Sequence, residues 1–291
     1  MDGGLAMSVL YDIAGPKARR RHAIAGVVTV VALVLAAAAV IWKLAVEDQF
    51  TADKWEVFTT PAYLEILGQA VLDTVRIAAI SIVLAVVFGV VFGVAKLSDH
   101  APIRAVAWTV VEFFRAVPLL LLIIFIWFWG FDTRVGIIAP LVIGLTLYNG
   151  SVLAEVFRAG INAVPRGQVE AAYALGMRKT AVTRIVQLPQ AVKIMMPSII
   201  SQCVVVLKDT SLGYYILAPG LTTIGREIWR EFDNRLATAI VLAAIYIVLN
   251  VILSRIGVYV QKRLTESKTV KAVDLEPARS GVHHGGGPTA R

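Results

Sequence analysis

Lys208 and Asp209 stand side by side in an apolar run at about 194–218, with Gln202, Thr210 and Ser211 beside them. A charge at membrane depth costs roughly 2.5–3.5 kcal/mol on insertion scales, so such residues face a cavity or a partner. Adjacent positions on a helix do not face each other, so the two charges need separate partners. Lining a pathway, Lys208 would meet a carboxylate, and Asp209 an ammonium or a neighbouring backbone amide. The other reading makes this the last helical turn before an outer loop, with the pair solvated or structural.

The remaining polar groups in apolar surroundings read mainly as structural. Glu112 and Arg115 are spaced i, i+3 and can satisfy each other; Asp73 and Arg76 share this spacing near the outer end of their span, where the arginine can reach the interface. Asn149 and Asn250 are lone amides of the kind that bond between helices, although Asn149 and Arg115 are kept with Lys208, Asp209, Thr210 and Ser211 as candidates for a substrate pathway. Gly89 and Gly93 form a small-xxx-small pair suited to close helix packing. His22, His100, His283 and His284 form no metal-ligand cluster, and Cys203 has no second cysteine to pair with. The chain has no G-x-x-x-x-G-K-[ST] phosphate loop, nucleophile elbow or zinc-protease signature. It is therefore expected to hold no cofactor and to catalyse nothing itself.

The elements that position these groups follow from composition. Of 291 residues, 58% are hydrophobic and 16% charged, and mean hydropathy is +0.75. Soluble domains carry about 25% charged residues. The apolar residues come in blocks at about 23–46, 69–95, 107–130, 136–157, 194–218 and 237–260, each near the roughly 20 residues that a membrane-crossing helix needs. The expectation is an all-α integral membrane protein with six transmembrane helices. The first block follows Lys17 and Arg19–Arg21, like a signal peptide, but continues through Val40, Ile41 and Trp42, beyond the roughly 7–15 residues of a signal core. It is read as an uncleaved span.

Lys and Arg in short loops set orientation. With the N-terminus inside, segments 1–22, 96–106, 158–193 and 261–291 lie inside and hold most of these cations, while loop 47–68 holds only Lys54 among Glu47, Asp48, Asp53, Glu56 and Glu65. A loop at 219–236, with Arg226, Arg230 and Arg235, runs against this trend but also carries Glu227, Glu231 and Asp233. Both termini are thus expected in the cytoplasm of a cell membrane. The net charge of +8 speaks to orientation and lipid headgroups rather than to nucleic acid. Residues 266–291, rich in Gly, Pro, Ser and charge, read as a disordered cytoplasmic tail.

Between the fourth and fifth blocks, at 154–193, the chain reads as two short helices about a glycine. Pro165 and Gly167 break the preceding helix, Gln168 to Leu175 form the first short helix, and Gly176 ends it. Arg178 to Gln187 form a second, stopped by Leu188-Pro189. Ala171, Ala172 and Ala174 keep the first helix slim, and Glu170 suits its N-terminal dipole. Without a partner this would be an amphipathic loop on the membrane surface.

Glu170-Ala171-Ala172, Gly176 and Val186-Gln187-Leu188-Pro189 resemble, in residues and spacing, the EAA loop of permease subunits of ATP-binding-cassette importers; Val186 replaces the family's usual Ile. Residues 69–265 resemble the polar-amino-acid permeases of the histidine, glutamine and glutamate group. That likeness is carried by Thr74-Val75-Arg76-Ile77, by Val111-Glu112-Phe113-Phe114-Arg115-Ala116-Val117-Pro118-Leu119-Leu120 and by Leu207-Lys208-Asp209-Thr210-Ser211-Leu212. The opening Leu10-Tyr11-Asp12 to Gly15-Pro16-Lys17, with its arginine run and extra span, resembles actinobacterial glutamate permeases. Where the family often has Arg-Gly-Thr-Pro, this chain has Arg115-Ala116-Val117-Pro118 and lacks the hydroxyl.

The resemblance implies a type I ABC-importer permease core at 69–265, preceded by an extra helix at 23–46. Its coupling loop, 158–193, would dock Glu170, Ala171, Ala172, Gly176, Leu188 and Pro189 against a separate ATPase that binds ATP. The implied partners are a second permease subunit (a copy or a paralogue), two ATP-binding subunits and an extracellular amino-acid-binding protein, with glutamate as cargo. Two other classes compete. An ion-coupled secondary transporter would use Lys208 and Asp209 as its site and survive without ATP, and a membrane scaffold would transport nothing.

Overall fold

A computed structural model describes residues 15–129 and 136–265. Their regular elements are all helical. Helix α1 spans Pro16–Val46, α2 Ala52–Glu56, α3 Pro61–Ala95, α4 Ala101–Ala116, α5 Leu119–Phe128, α6 Ala139–Asn162 and α7 Arg166–Ala174. A short helix α8 (Lys179–Ala181) runs through a wide π segment, Val182–Gln187, into α9 (Leu188–Asp209), which a 3-10 turn continues to Ile216. Helices α10 (Leu221–Phe232) and α11 (Arg235–Thr265) complete the chain. Helices α3, α4 and α6 carry proline in the first turn, where the missing N–H has no intrahelical partner to lose.

Five helical stretches are long and apolar enough to cross a bilayer, and α4 with α5 makes a sixth if that bent pair is counted as one. The six expected spans are thus present in length and composition, but three details differ. The third apolar run is not one straight helix: α4 and α5 meet at 99°. Pro118 causes the break, because its ring drives Val117 out of the helical region to ψ 127°. The stretch at 219–236 is not a loop; most of it is α10, folded back on α3 and α11 through Leu221 and Ile228. Finally, Leu188-Pro189 does not stop the second short helix. The turn before it widens, with the Leu188 N–H donating to the Thr183 carbonyl, and a wide turn accommodates the proline without a break. The expected N-terminal cytoplasmic segment lies largely outside the described residues, as do the tail at 266–291 and the end of the third run at residue 130.

Helices α3 and α6 make the most extensive interface, closest at Gly89 and Gly93. A Cβ on Gly89 would stand 2.7 Å from the Leu153 Cβ, so these glycines serve packing. Lipid supplies no hydrophobic drive between helices, so this backbone approach and its dispersion contacts hold the pair. Three apolar clusters line the bundle: one around Ile77, Ile123 and Leu145, one around Leu153, Phe157 and Met195 near α7, and one joining α10 to α3 and α11. Helix α1 stands apart: none of its most apolar window is buried. An all-round apolar, unburied helix of this length suits lipid.

Candidate functional site

Helix α7 follows the end of α6 after three residues and packs on the π segment Val182–Gln187. Its geometry comes from its two breakers. Pro165 is extended (ψ 127°) and starts the helix at Arg166. Gly176 closes it in the left-handed region at φ +76°, where Gly has no Cβ penalty. The Gly176 N–H donates to the Tyr173 carbonyl at 2.9 Å and the Met177 N–H to the Ala172 carbonyl at 3.2 Å. These are the paired bonds of a Schellman motif. Ala172 is buried against the bundle, while Glu170, Ala171 and Gly176 are exposed. Leu175, 83% exposed, is the most prominent apolar side chain of the segment, and nothing in the sequence pattern singled it out because it follows the helix as its C-cap. Beside Glu170 lies a cleft of about 500 Å³ lined by Asn162, Arg166, Tyr173 and Gln187. Leu188 and Pro189 are exposed too, on the first turn of α9.

The loop between α3 and α4 reaches the same end. Lys179 pairs with Asp99, and this hydrogen bond, with the lysine charge behind it, holds the Asp99 carboxyl below the usual aspartate range.

Lys208 and Asp209 form the last turn of α9, and the 3-10 turn carries the chain on to Ile216 before α10. Lys208 lines a cleft of about 730 Å³ between α9 and α11, together with Ser211, Tyr246, Asn250, Ser254 and Arg255. Asn250 is the central residue of α11, so Lys208 lies opposite the middle of that span. Asp209 turns the other way, towards α6. The buried amide of Asn149 donates to the Leu145 carbonyl at 3.1 Å and to the Asp209 carboxylate at 3.5 Å, and its Oδ1 accepts from Gln202 at 2.5 Å. Thr210 is buried and donates to the Leu207 carbonyl at 2.7 Å. The six pathway candidates therefore separate: Lys208 and Ser211 face the cleft, Asp209 and Asn149 pair on the α6 side of α9, Thr210 is buried at the turn that follows, and Arg115 lies elsewhere, at the α4–α5 elbow.

Arg115 donates to Glu112 at 3.1 Å, as their spacing suggested. Asp73 and Arg76 form no ion pair among the described residues. Asn250 departs from the interhelical bond expected of it. Its amide donates within α11 to the Tyr246 carbonyl at 2.6 Å, and its Oδ1 is buried without a hydrogen-bond partner among the described residues. Arg255 was missed, since a single arginine near the end of a long apolar run reads as an interfacial anchor; only the pairing of α9 with α11 brings it beside Lys208. The cleft thus presents two cations, Lys208 and Arg255, between two apolar helices, an arrangement suited to a zwitterion or an anion.

Residues 85–266 match the family model described as binding-protein-dependent transport system inner membrane component. The chain belongs to that family. It is 36% identical over 233 residues to the glutamate transport system permease protein GluD of Corynebacterium glutamicum, covering 77% of this chain and 85% of that protein. It is 31% identical to the L-cystine transport system permease protein TcyB of Bacillus subtilis, covering 74% and 92% respectively. A crystal structure of an amino acid ABC transporter with histidines superposes with TM-score 0.65 at 28% identity, over 69% of this chain and 95% of that one. The bundle is the type I ABC-importer permease fold, and as a family member this chain is an integral membrane component of a transport system that works with a binding protein.

Proposed function

We propose that this chain is the permease subunit of an ATP-driven importer of amino acids, with glutamate as its cargo. It forms the pathway together with a second permease subunit, a copy or a paralogue. Two ATPases on the cytoplasmic side bind the ATP, and this chain needs no cofactor of its own. The cargo assignment is supported by the transport named for the Corynebacterium relative and by the two cations of the cleft, which match a dicarboxylate. Both termini lie in the cytoplasm of the cell membrane, supported by the Lys and Arg bias of the loops.

The observation that carries the reading is the Schellman-closed α7, anchored through Ala172 and offering Glu170, Leu175 and the α7 backbone outward. In this reading α7, with Gly176, Leu188 and Pro189 behind it, sits in a cleft of the ATPase. Closure of the ATPases on ATP moves α7 and shifts the bundle from inward- to outward-facing, the docking contact supplying the differential affinity that such a shift requires. Lys208 and Ser211 meet the passing substrate, Lys208 through its carboxylate, while Asn149, Asp209 and Thr210 hold Lys208 in place.

Deleting residues 168–177 tests the docking. The expected result is a permease that inserts normally but no longer copurifies with its ATPase. Full copurification would sink the reading, and uptake that follows an ion gradient without ATP would replace it with secondary transport.

A further inference from the structure

A second cluster of charge lies outside both the docking helix and the cleft. Lys96 follows the last turn of α3, and its side chain is wholly buried. Its ammonium contacts three side chains on two helices at once. It pairs with Glu155 on α6, with Glu112 on α4 at 3.4 Å, and lies over the Trp108 ring of α4, 3.5 Å from its centre. Each carboxylate is shared again: Glu155 accepts from Arg158 at 2.9 Å and Glu112 from Arg115 at 3.1 Å. Cations and carboxylates therefore alternate as Arg115, Glu112, Lys96, Glu155, Arg158 across two helices, with Lys96 as the ion-pair link between the halves among the described residues and Arg158 reaching the Trp108 ring at 5.9 Å.

The two ends of this chain of charge adjoin the proposed docking helix and the elbow. Glu155 and Arg158 occupy the last turns of α6, which only Ala163–Pro165 separates from α7. Glu112 and Arg115 occupy the last turns of α4, directly before the 99° elbow with α5. A buried cation cannot release one carboxylate without losing solvation it cannot recover from water. Helices α4 and α6 must then move together while Lys96 holds both, or exchange partners in a discrete step.

We propose that Lys96 is a positioning residue for energy coupling, transmitting displacement of α7 through α6 to the α4–α5 elbow. This rests on the reading of α7 as the ATPase-docking helix. The indole face and two carboxylates select a cation here, and among the described residues Lys96 alone pairs with a carboxylate of each arm.

The test uses the complete transporter in proteoliposomes: this chain with its permease partner, ATPases and loaded binding protein. Transport and ATP hydrolysis are measured in the same vesicles. In Lys96→Met, transport per ATP hydrolysed should fall about ten-fold, while basal hydrolysis stays within about two-fold, a loss within the usual range of coupling free energies. Lys96→Arg should restore most of the ratio. Glu112→Gln is half-exposed and carries the test should Lys96→Met not assemble; it should lower the ratio in the same direction by a smaller factor. A ratio unchanged in Glu112→Gln and in any assembled Lys96→Met overturns the proposal, as does a parallel fall of transport and hydrolysis, which marks a structural role. Loss of coupling in the wild type would instead indict the docking reading.

Discussion

Gly93 of α3 packs so closely on Ala154 of α6 that a Cβ on the glycine would stand 2.8 Å from the Ala154 carbonyl oxygen. Backbone meets backbone there, and neither helix has a flexible side chain to yield. Gly93→Leu should therefore destabilise the bundle by about 1–3 kcal/mol, the usual cost of overpacking. Gly68, with nothing within 4 Å of its Cβ position, provides the contrast: Gly68→Leu should be neutral or stabilising by up to about 1 kcal/mol. Thermal denaturation of the detergent-purified chain compares the two.

Leu175 is exposed and contributes nothing to the bundle core. Leu175→Ser should leave the melting temperature of the isolated chain unchanged and weaken ATPase binding by about ten-fold or more, as removal of an apolar anchor at the centre of an interface does. Titration of the ATPase onto permease in nanodiscs reads the affinity directly.

Gly176→Ala keeps the size of α7 but places a Cβ at φ +76°. The strain is about 1 kcal/mol and stays local to the Schellman turn. Hydrogen exchange should accelerate at position 176 and at Met177, whose N–H groups close that turn, without change in α3 or α6.

The Asp99 carboxyl is held below its ordinary value of 3.8 by Lys179. A lowered acid stabilises the folded contact above the ordinary value and loses that contribution as pH falls through the lower, folded one. The Asp99–Lys179 contact should hence persist unchanged from neutral pH to about pH 5. Lys179→Met should return the Asp99 titration, followed by carboxyl NMR, towards 3.8, and added salt should do so in part, because the pair is exposed.

Lys208→Met removes the cleft cation opposite the middle of α11. Uptake should lose apparent affinity for substrate by about ten-fold, the worth of roughly 1.4 kcal/mol. Asn149→Leu should give a similar loss by another route, since it leaves Asp209 without the amide that turns it towards α6. Uptake assays with labelled glutamate over a concentration series distinguish a change in KM from one in maximal rate.

Much of this fold is legible in residue order because the bilayer imposes a length and a polarity that sequence states directly. The spans, the glycine-closed α7 and the Glu112–Arg115 pair all follow from local spacing. What stays hidden depends on what lies across from a residue. Lys96 reads only as a loop cation until α4 and α6 close over it, and Arg255 reads as an anchor until α9 lies alongside α11. The break at Val117–Pro118 was written plainly as a pre-proline residue, but a continuous apolar run outweighed it. Helix α10 reads as a loop because Arg226, Glu227, Arg230 and Glu231 break up its apolar residues, although Leu221 and Ile228 on one side suffice to dock it.

The wide turn at Val182–Gln187 has a consequence for registry. An α-helix advances about 100° per residue, and a π turn stores one residue more than an α turn. That surplus residue sets the rotational phase of everything downstream in α9. Lys208 points into the cleft and Asp209 towards Asn149 only in this phase, so excising one residue from 182–187 would rotate the polar end of α9 by about a quarter turn. The aim of the cleft is thereby decided at the opposite end of the helix, beside the segment proposed to meet the ATPase.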